Sequence, residues 1–254
     1  MPKLMVALAA AALLAVAAAP ANAYNDFSCR PTAAHPEPVV LVHGTFANST
    51  VSWTLADTTL RADGYCTFAL DYGNNATGPI EQSAQQLSDF VDQVLAATGA
   101  AKVSIVGHSQ GGMMPRYYVK NLGGDAKVDD LVGLAPSNHG TDNPFAARAS
   151  GCPACVEQAA GSPFLTALNA GDESPGAVSY TQIETRYDEV VTPYTSAFLA
   201  PDANVTNVLL QDKCAPDFSD HLGIGHDPIA LRWIEDALAH PGPADPAFDP
   251  GCHV

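Results

Sequence analysis

Positive charge is scarce in this chain. Lysine and arginine together number 11 against 27 aspartates and glutamates, a formal net charge of −16 with histidine neutral. Such a surface repels phosphate backbones and anionic membranes, which excludes nucleic acid as a partner. A neutral substrate or an uncharged lipid–water interface fits it, and solubility alone also accounts for it. Beyond residue 23 no run is long and apolar enough to span a bilayer, so stable membrane insertion is not expected. Internal repeats and interdomain linkers are lacking too, and the length suits one large domain with a substantial core.

What is present begins at the N-terminus. Met1-Pro2-Lys3 carries one positive charge, Leu4 to Ala19 is almost unbroken apolar sequence, and Pro20-Ala21-Asn22-Ala23 has the form of an A-x-A cleavage site. This three-part pattern is that of a secretory leader covering 1–23, not of a membrane anchor. The mature chain would start at Tyr24, without Lys3 and so with one positive charge fewer, and would lie outside the cell.

All six cysteines fall after that point. An even count in an exported chain implies three disulfides, and six cysteines allow fifteen pairings. The simplest is sequential: Cys29–Cys66, Cys152–Cys155 and Cys214–Cys252. Zinc at Cys152-Pro153-Ala154-Cys155 lacks a second ligand pair of suitable spacing, and His139 reads as a loop-fixing residue, so no metal is expected.

The chain alternates strands and helices. Strands are read at Pro38–Val42, Tyr65–Leu70, Lys102–Val106, Val128–Leu134, Val178–Glu184 and Val205–Leu210. Helices are read at Val51–Ala62, Ile80–Ala97, Gln110–Leu122 and Pro228–Ala239, the last with Asp227 as N-cap and Pro228 at its first position. This order predicts a mostly parallel sheet with helices on both faces, an α/β fold. Residues 135–177 break the rhythm, being rich in Pro, Gly, Asn and Ser with short helical pieces such as Pro163–Asn169, and read as a lid- or cap-like insertion.

Gly107-His108-Ser109-Gln110-Gly111 is a G-x-S-x-G turn between a strand and a helix. Alone the pattern is a modest signal. At a strand-to-helix elbow, however, the serine oxygen projects at a helix N-terminus, where a developing anion is favoured. Ser109 is therefore the candidate nucleophile. An oxyanion hole needs two N–H donors, for which the residue after the serine, Gln110, and Thr45 in the loop Val42-His43-Gly44-Thr45-Phe46 are the candidates. The Thr45 hydroxyl offers a third hydrogen bond, and His43, which precedes the serine, reads as a brace for the loop.

In the order serine, acid, histidine, the acid follows the next-to-last strand at Asp188, with Glu189 its neighbour. Two histidines, His221 and His226, follow the last strand. Spacing does not separate them. A serine, an imidazole and a carboxylate in this order are the parts of covalent acyl transfer, in which no cofactor is needed.

Four segments carry a family resemblance: Val42–Phe46, Val106–Met113, Leu134–Thr141 and Thr185–Pro193. Together they resemble the secreted triacylglycerol lipases of actinobacteria, of the bacterial class 2 lipase family in the α/β-hydrolase superfamily, and more distantly the yeast lipase B group. The resemblance implies an α/β-hydrolase fold, hydrolysis of acylglycerols or other fatty-acid esters with Ser109 as nucleophile and Asp188 as acid, sequential disulfides, a bacterial source and an extracellular location. The family pattern His-Leu-x-Ile falls on His221, which is taken as the base. A Gly-x-Gly-His turn as in small bacterial lipases would select His226 instead.

Phe46, His108, Phe145 and Phe164 are candidate substrate contacts. An ester lipid is the expected substrate, a cutin-, suberin- or synthetic-type polyester the alternative, and a non-catalytic lipid-binding homologue a third class. Contact with a lipid interface is expected to be transient and the chain monomeric, although oligomeric state is not encoded in any motif.

Overall fold

Six parallel strands form the centre of the structure, a computed structural model that describes residues 24–144 and 151–252. The expected leader and Phe145 lie outside the described residues. The strands are β1 (Val39–Val42), β2 (Thr67–Leu70), β3 (Val103–His108), β4 (Val128–Leu134), β5 (Ser179–Glu184) and β6 (Val205–Leu209). Their order in space is β2-β1-β3-β4-β5-β6. Strand β1 is buried at every position, as a strand covered on both faces must be. Val40 and Val42 enter one core and Val39 and Leu41 the other, because successive side chains leave a strand on opposite faces.

Helices α1 (Ser49–Ser52), α2 (Thr54–Ala62), α3 (Gly73–Ala76), α4 (Ile80–Thr98), α5 (Gln110–Asn121), α6 (Pro153–Glu157) and α7 (Pro163–Leu168) lie between the strands, and α8 (Leu210–Lys213) and α9 (Pro228–Ala239) follow the last one. Helix α4 buries Ile80, Ala84, Leu87, Val91 and Val94 at helical spacing and stops at Gly99, which is left-handed at φ 74°. It packs with α5 over one face. Helices α2 and α9 cover the other, with Trp53 and Trp233 both buried. Asp227 caps α9 by accepting from the Ile229 and Ala230 N–H groups at 2.7 and 2.8 Å, as the sequence predicts.

The helix expected over Val51–Ala62 is two helices. The chain breaks at Trp53, whose backbone leaves helical geometry (φ −121°, ψ 9°) while its ring is buried, and Asn48 separately caps α1. Helices α3, α6 and α8 and the 3-10 turns Gly124–Ala126, Tyr194–Ala197 and Gly223–His226 were outside the reach of periodicity, since each is at most five residues long.

The cysteines are joined as Cys29–Cys66, Cys152–Cys155 and Cys214–Cys252. Between β4 and β5 the described insertion is fastened to α5. Arg116 is 1% exposed and donates to Asn138 Oδ1, Asn169 Oδ1 and, twice, the Glu173 carbonyl, at 2.8–3.3 Å. Lys120 Nζ donates to the carbonyls of Leu168, Ala170 and Asp172. Cys152, Ala154, Cys155, Leu165 and Leu168 complete the attachment by joining the α4–α5 core.

Candidate active site

From β1 the chain moves outward to β2, then returns to β3 on the opposite side. Ligands of open parallel sheets bind outside the carboxyl ends of the strands near such a switch point. There the loops after β1, β3, β5 and β6 converge, and with them Thr45, Ser109, Asp188 and His221.

The Ser109 turn is built by close approach. Ser109 itself adopts φ 55° and ψ −122°, a region that costs a non-glycine residue about 1–3 kcal/mol. Its N–H donates to the Leu134 carbonyl at 2.8 Å, and its carbonyl receives the Gly112 N–H at 3.0 Å. A Cβ on Gly107 would lie 1.8 Å from the Gly111 carbonyl oxygen, and one on Gly111 would lie 2.1 Å from that of Val42. The two glycines of the motif therefore serve contact between β1, β3 and α5, and neither has a positive φ.

The loop after β1 passes directly over this turn. A Cβ on Gly44 would be 3.0 Å from Ser109 Cβ. Beneath the loop His43 is fully buried; its Nδ1–H donates to the Gly44 carbonyl at 2.8 Å, and its ring stacks on Tyr72. Burial holds its pKa below the usual imidazole value. Tyr72 donates to the His43 carbonyl at 2.7 Å, fixing the loop from below. His43 does not line the cavity at Ser109. Among the described residues no acceptor takes the Thr45 N–H. The Gln110 N–H, first of α5, has no intrahelical partner either.

Gln158 of the insertion was not singled out from the sequence. Its side-chain oxygen accepts from Ser137 Oγ at 2.8 Å and its Nε2 donates to Thr45 Oγ1 at 3.0 Å. With Thr45 Oγ1 accepting there, the Thr45 hydroxyl proton is left to donate elsewhere. No local spacing links positions 45 and 158, so no sequence signal pointed to the pair.

Asp188 is buried in the turn after β5. Its Oδ1 accepts from the Val190 and Val191 N–H groups at 2.8 and 2.7 Å, and its Oδ2 lies 2.7 Å from His221 Nδ1. The neighbouring Glu189 and the rival His226 are exposed and outside this network. His108 is buried against His221, rings 4.9 Å apart, and its Nε2–H donates to the His221 carbonyl at 2.8 Å. Burial first, and the nearby His221 second, lower the His108 pKa to about 3. A neutral His108 thus pins the backbone beneath His221.

Ser109, His221, Thr45, Phe46 and His108 line one cavity of about 420 Å³, walled chiefly by apolar groups including Ala47, Val190, Val191 and Leu222. Its mouth is apolar: Phe46 is 61% and Leu222 69% exposed. Phe164 is not part of this lining. As an α7 residue on the α5 side it stacks on Tyr117, centroids 5.7 Å apart, which corrects its expected place in a substrate pocket. His139 lies between the Ser196 carbonyl and Glu173, and no group of three or more metal-ligating side chains occurs among the described residues.

These strands and this elbow define the α/β-hydrolase fold. The chain belongs to the class 2 lipase family, whose profile matches residues 36–228. A triacylglycerol lipase from Burkholderia plantarii is 41% identical over 122 residues, covering 43% of this chain and 31% of that protein. One from Pseudarthrobacter phenanthrenivorans is 41% identical over 92 residues, 32% of this chain and 27% of that protein. The matched stretches thus span about a third of these relatives. Aspergillus fumigatus lipase B superposes with a TM-score of 0.75 at 24% identity, over 84% of this chain and 55% of that one. A mature Bacillus licheniformis lipase superposes at 0.64 and 15% identity, over 87% and 97%. The last two are likenesses of fold.

Proposed function

We propose that this protein is a secreted lipase or esterase that cleaves carboxylic esters through an acyl-enzyme on Ser109. The observation that carries the reading is the buried Asp188–His221 pair, 2.7 Å apart, whose histidine lines the same apolar cavity as the strained Ser109 elbow. Asp188 holds the His221 Nδ1–H, which leaves Nε2 unprotonated and able to take the Ser109 proton as Oγ attacks the ester carbonyl. The oxyanion receives the unpaired N–H groups of Thr45 and Gln110, with the Thr45 hydroxyl oriented by Gln158. His221 then protonates the leaving alcohol and activates the water that releases the acid. Phe46, Val190 and Leu222 hold an apolar acyl chain. Three disulfides support export to an oxidising compartment. No helix among the described residues is long and apolar enough to cross a membrane.

The test is hydrolysis of p-nitrophenyl esters of rising chain length, a triglyceride emulsion and a polyester film by the wild type, His221→Ala and His226→Ala. The wild type is expected to cleave soluble esters and emulsion, His221→Ala to lose at least about 10⁴-fold in kcat, and His226→Ala to stay within threefold or so. Loss confined to His226→Ala contradicts the assignment of the base. Cleavage of film alone replaces the lipid substrate with a polyester.

A further inference from the structure

Glu184 ends β5, four residues before Asp188, and its side chain is completely buried. A carboxylate at such a site would face a severe desolvation penalty unless paired with a cation. Among the described residues none is there: Oε1 accepts the Thr185 N–H at 2.6 Å, and Oε2 meets no N–H or O–H donor. The group within hydrogen-bonding reach is the carboxyl of Asp188. Two adjacent carboxyls deprived of water do not both ionise; one keeps its proton and gives it in a hydrogen bond to the other.

Counting acceptor sites tells which keeps it. An ionised carboxylate offers about four lone-pair sites. On Asp188 three are taken, by Val190 N–H, Val191 N–H and the His221 Nδ1–H, all donors that favour the charged form. Glu184 has one such donor. Asp188 is therefore the anion, with one site open on Oδ2, and Glu184 is the acid.

We propose that Glu184 is a positioning residue, a neutral carboxylic acid whose Oε2–H donates to Asp188 and holds that carboxylate in line with His221. This rests on the Ser109–His221–Asp188 reading above. Burial first, and Asp188 second, push the Glu184 pKa up to about 10, consistent with a protonated acid at neutral pH. The proton stays on Glu184 throughout the reaction. Its function is to fill the last acceptor site of Asp188, so that the carboxylate neither rotates nor attracts the His221 imidazolium too strongly.

The experiment compares the wild type with Glu184→Gln, which preserves shape, neutrality and a donor, and with Glu184→Met, which removes the donor. The pH profiles of kcat/KM on p-nitrophenyl butyrate are measured with near-UV circular dichroism as the control for folding. Glu184→Gln should keep kcat within about threefold with its acid limb unmoved. Glu184→Met should lose about tenfold in kcat at unchanged KM, with the acid limb moved to higher pH, because a less satisfied Asp188 holds the imidazolium more tightly. A folded Glu184→Met with full kcat, or a Glu184→Gln whose acid limb moves to lower pH as it would on losing a negative charge, overturns the proposal.

Infrared difference spectroscopy at pH 7 reads the proton without any turnover. A protonated-carboxyl band should vanish in Glu184→Gln, and absence of that change also overturns the proposal. Ester hydrolysis surviving in Ser109→Ala would instead overturn the catalytic reading while leaving the infrared result standing.

Discussion

Thr45 shows how a single side chain is put to use by a distant one. Gln158 anchors to Ser137 and donates to Thr45 Oγ1, which leaves the threonine hydroxyl proton to donate elsewhere on the cavity that Thr45 shares with Ser109. Replacing Thr45 with valine keeps the shape and the N–H but removes the hydroxyl. We expect kcat to fall about 10²-fold with KM little changed, the signature of a donor that acts mainly on the transition state. An unchanged kcat would mean that the hydroxyl does not face the oxyanion. At this scale the sequence was informative where chemistry follows chain order. Ser109, Asp188 and the two histidines could be named as candidates from motifs and strand ends, and the structure brings Asp188 to His221. Gln158 and Glu184 could not be named. Gln158 acts across 113 positions, and only its burial distinguishes Glu184 from an ordinary strand-end glutamate.

Elements supply the next level. Helix α5 carries Gln110, the proposed oxyanion donor, at its start and Arg116 nearly two turns on, and Arg116 fastens the insertion that contributes Gln158. The guanidinium is buried among neutral acceptors, so its removal strands Asn138, Asn169 and the Glu173 carbonyl without donors. Arg116→Met should cost about 3 kcal/mol in chemical denaturation. A loss below about 0.5 kcal/mol would show that the insertion is held by its apolar residues alone. Strand and long-helix positions were legible because their apolar periods are strong: α4, α9 and β4 fall within a residue or two of where the pattern puts them. The broken α1–α2 helix was not. The burial of Trp53 is a tertiary demand, invisible to a local period.

For the whole molecule the acid-rich composition has a consequence for stability. Asp130 at the start of β4 is buried beside Ser104, and desolvation first, with Asp129 and Glu37 adding repulsion, raises its pKa to about 7. Glu184 is raised further for the reasons given. A carboxyl whose folded pKa exceeds its unfolded value binds protons more tightly when folded. Its contribution is full below the unfolded value near 4 and is lost as pH rises through the folded one. Asp130 therefore predicts a decline in stability between about pH 4 and 7, and Glu184 extends that decline to higher pH. The charge of −16 adds self-repulsion over the same range. Tm should rise as pH is lowered from 8 to about 5, and Asp130→Asn should flatten the portion below pH 7. A Tm that rises with pH across this window would contradict the assignment of these two acids.

If Ser109 is the nucleophile of an ester hydrolase, a covalent serine label must find it. The protein is treated with a phosphonate serine probe, digested and mapped by mass spectrometry while residual esterase activity is followed. One adduct is expected, on the peptide holding Gly107-His108-Ser109-Gln110-Gly111, with activity lost in proportion to labelling and neither labelling nor activity in Ser109→Ala. An adduct on another serine, or Ser109→Ala that still hydrolyses esters at near-normal rate, would contradict it.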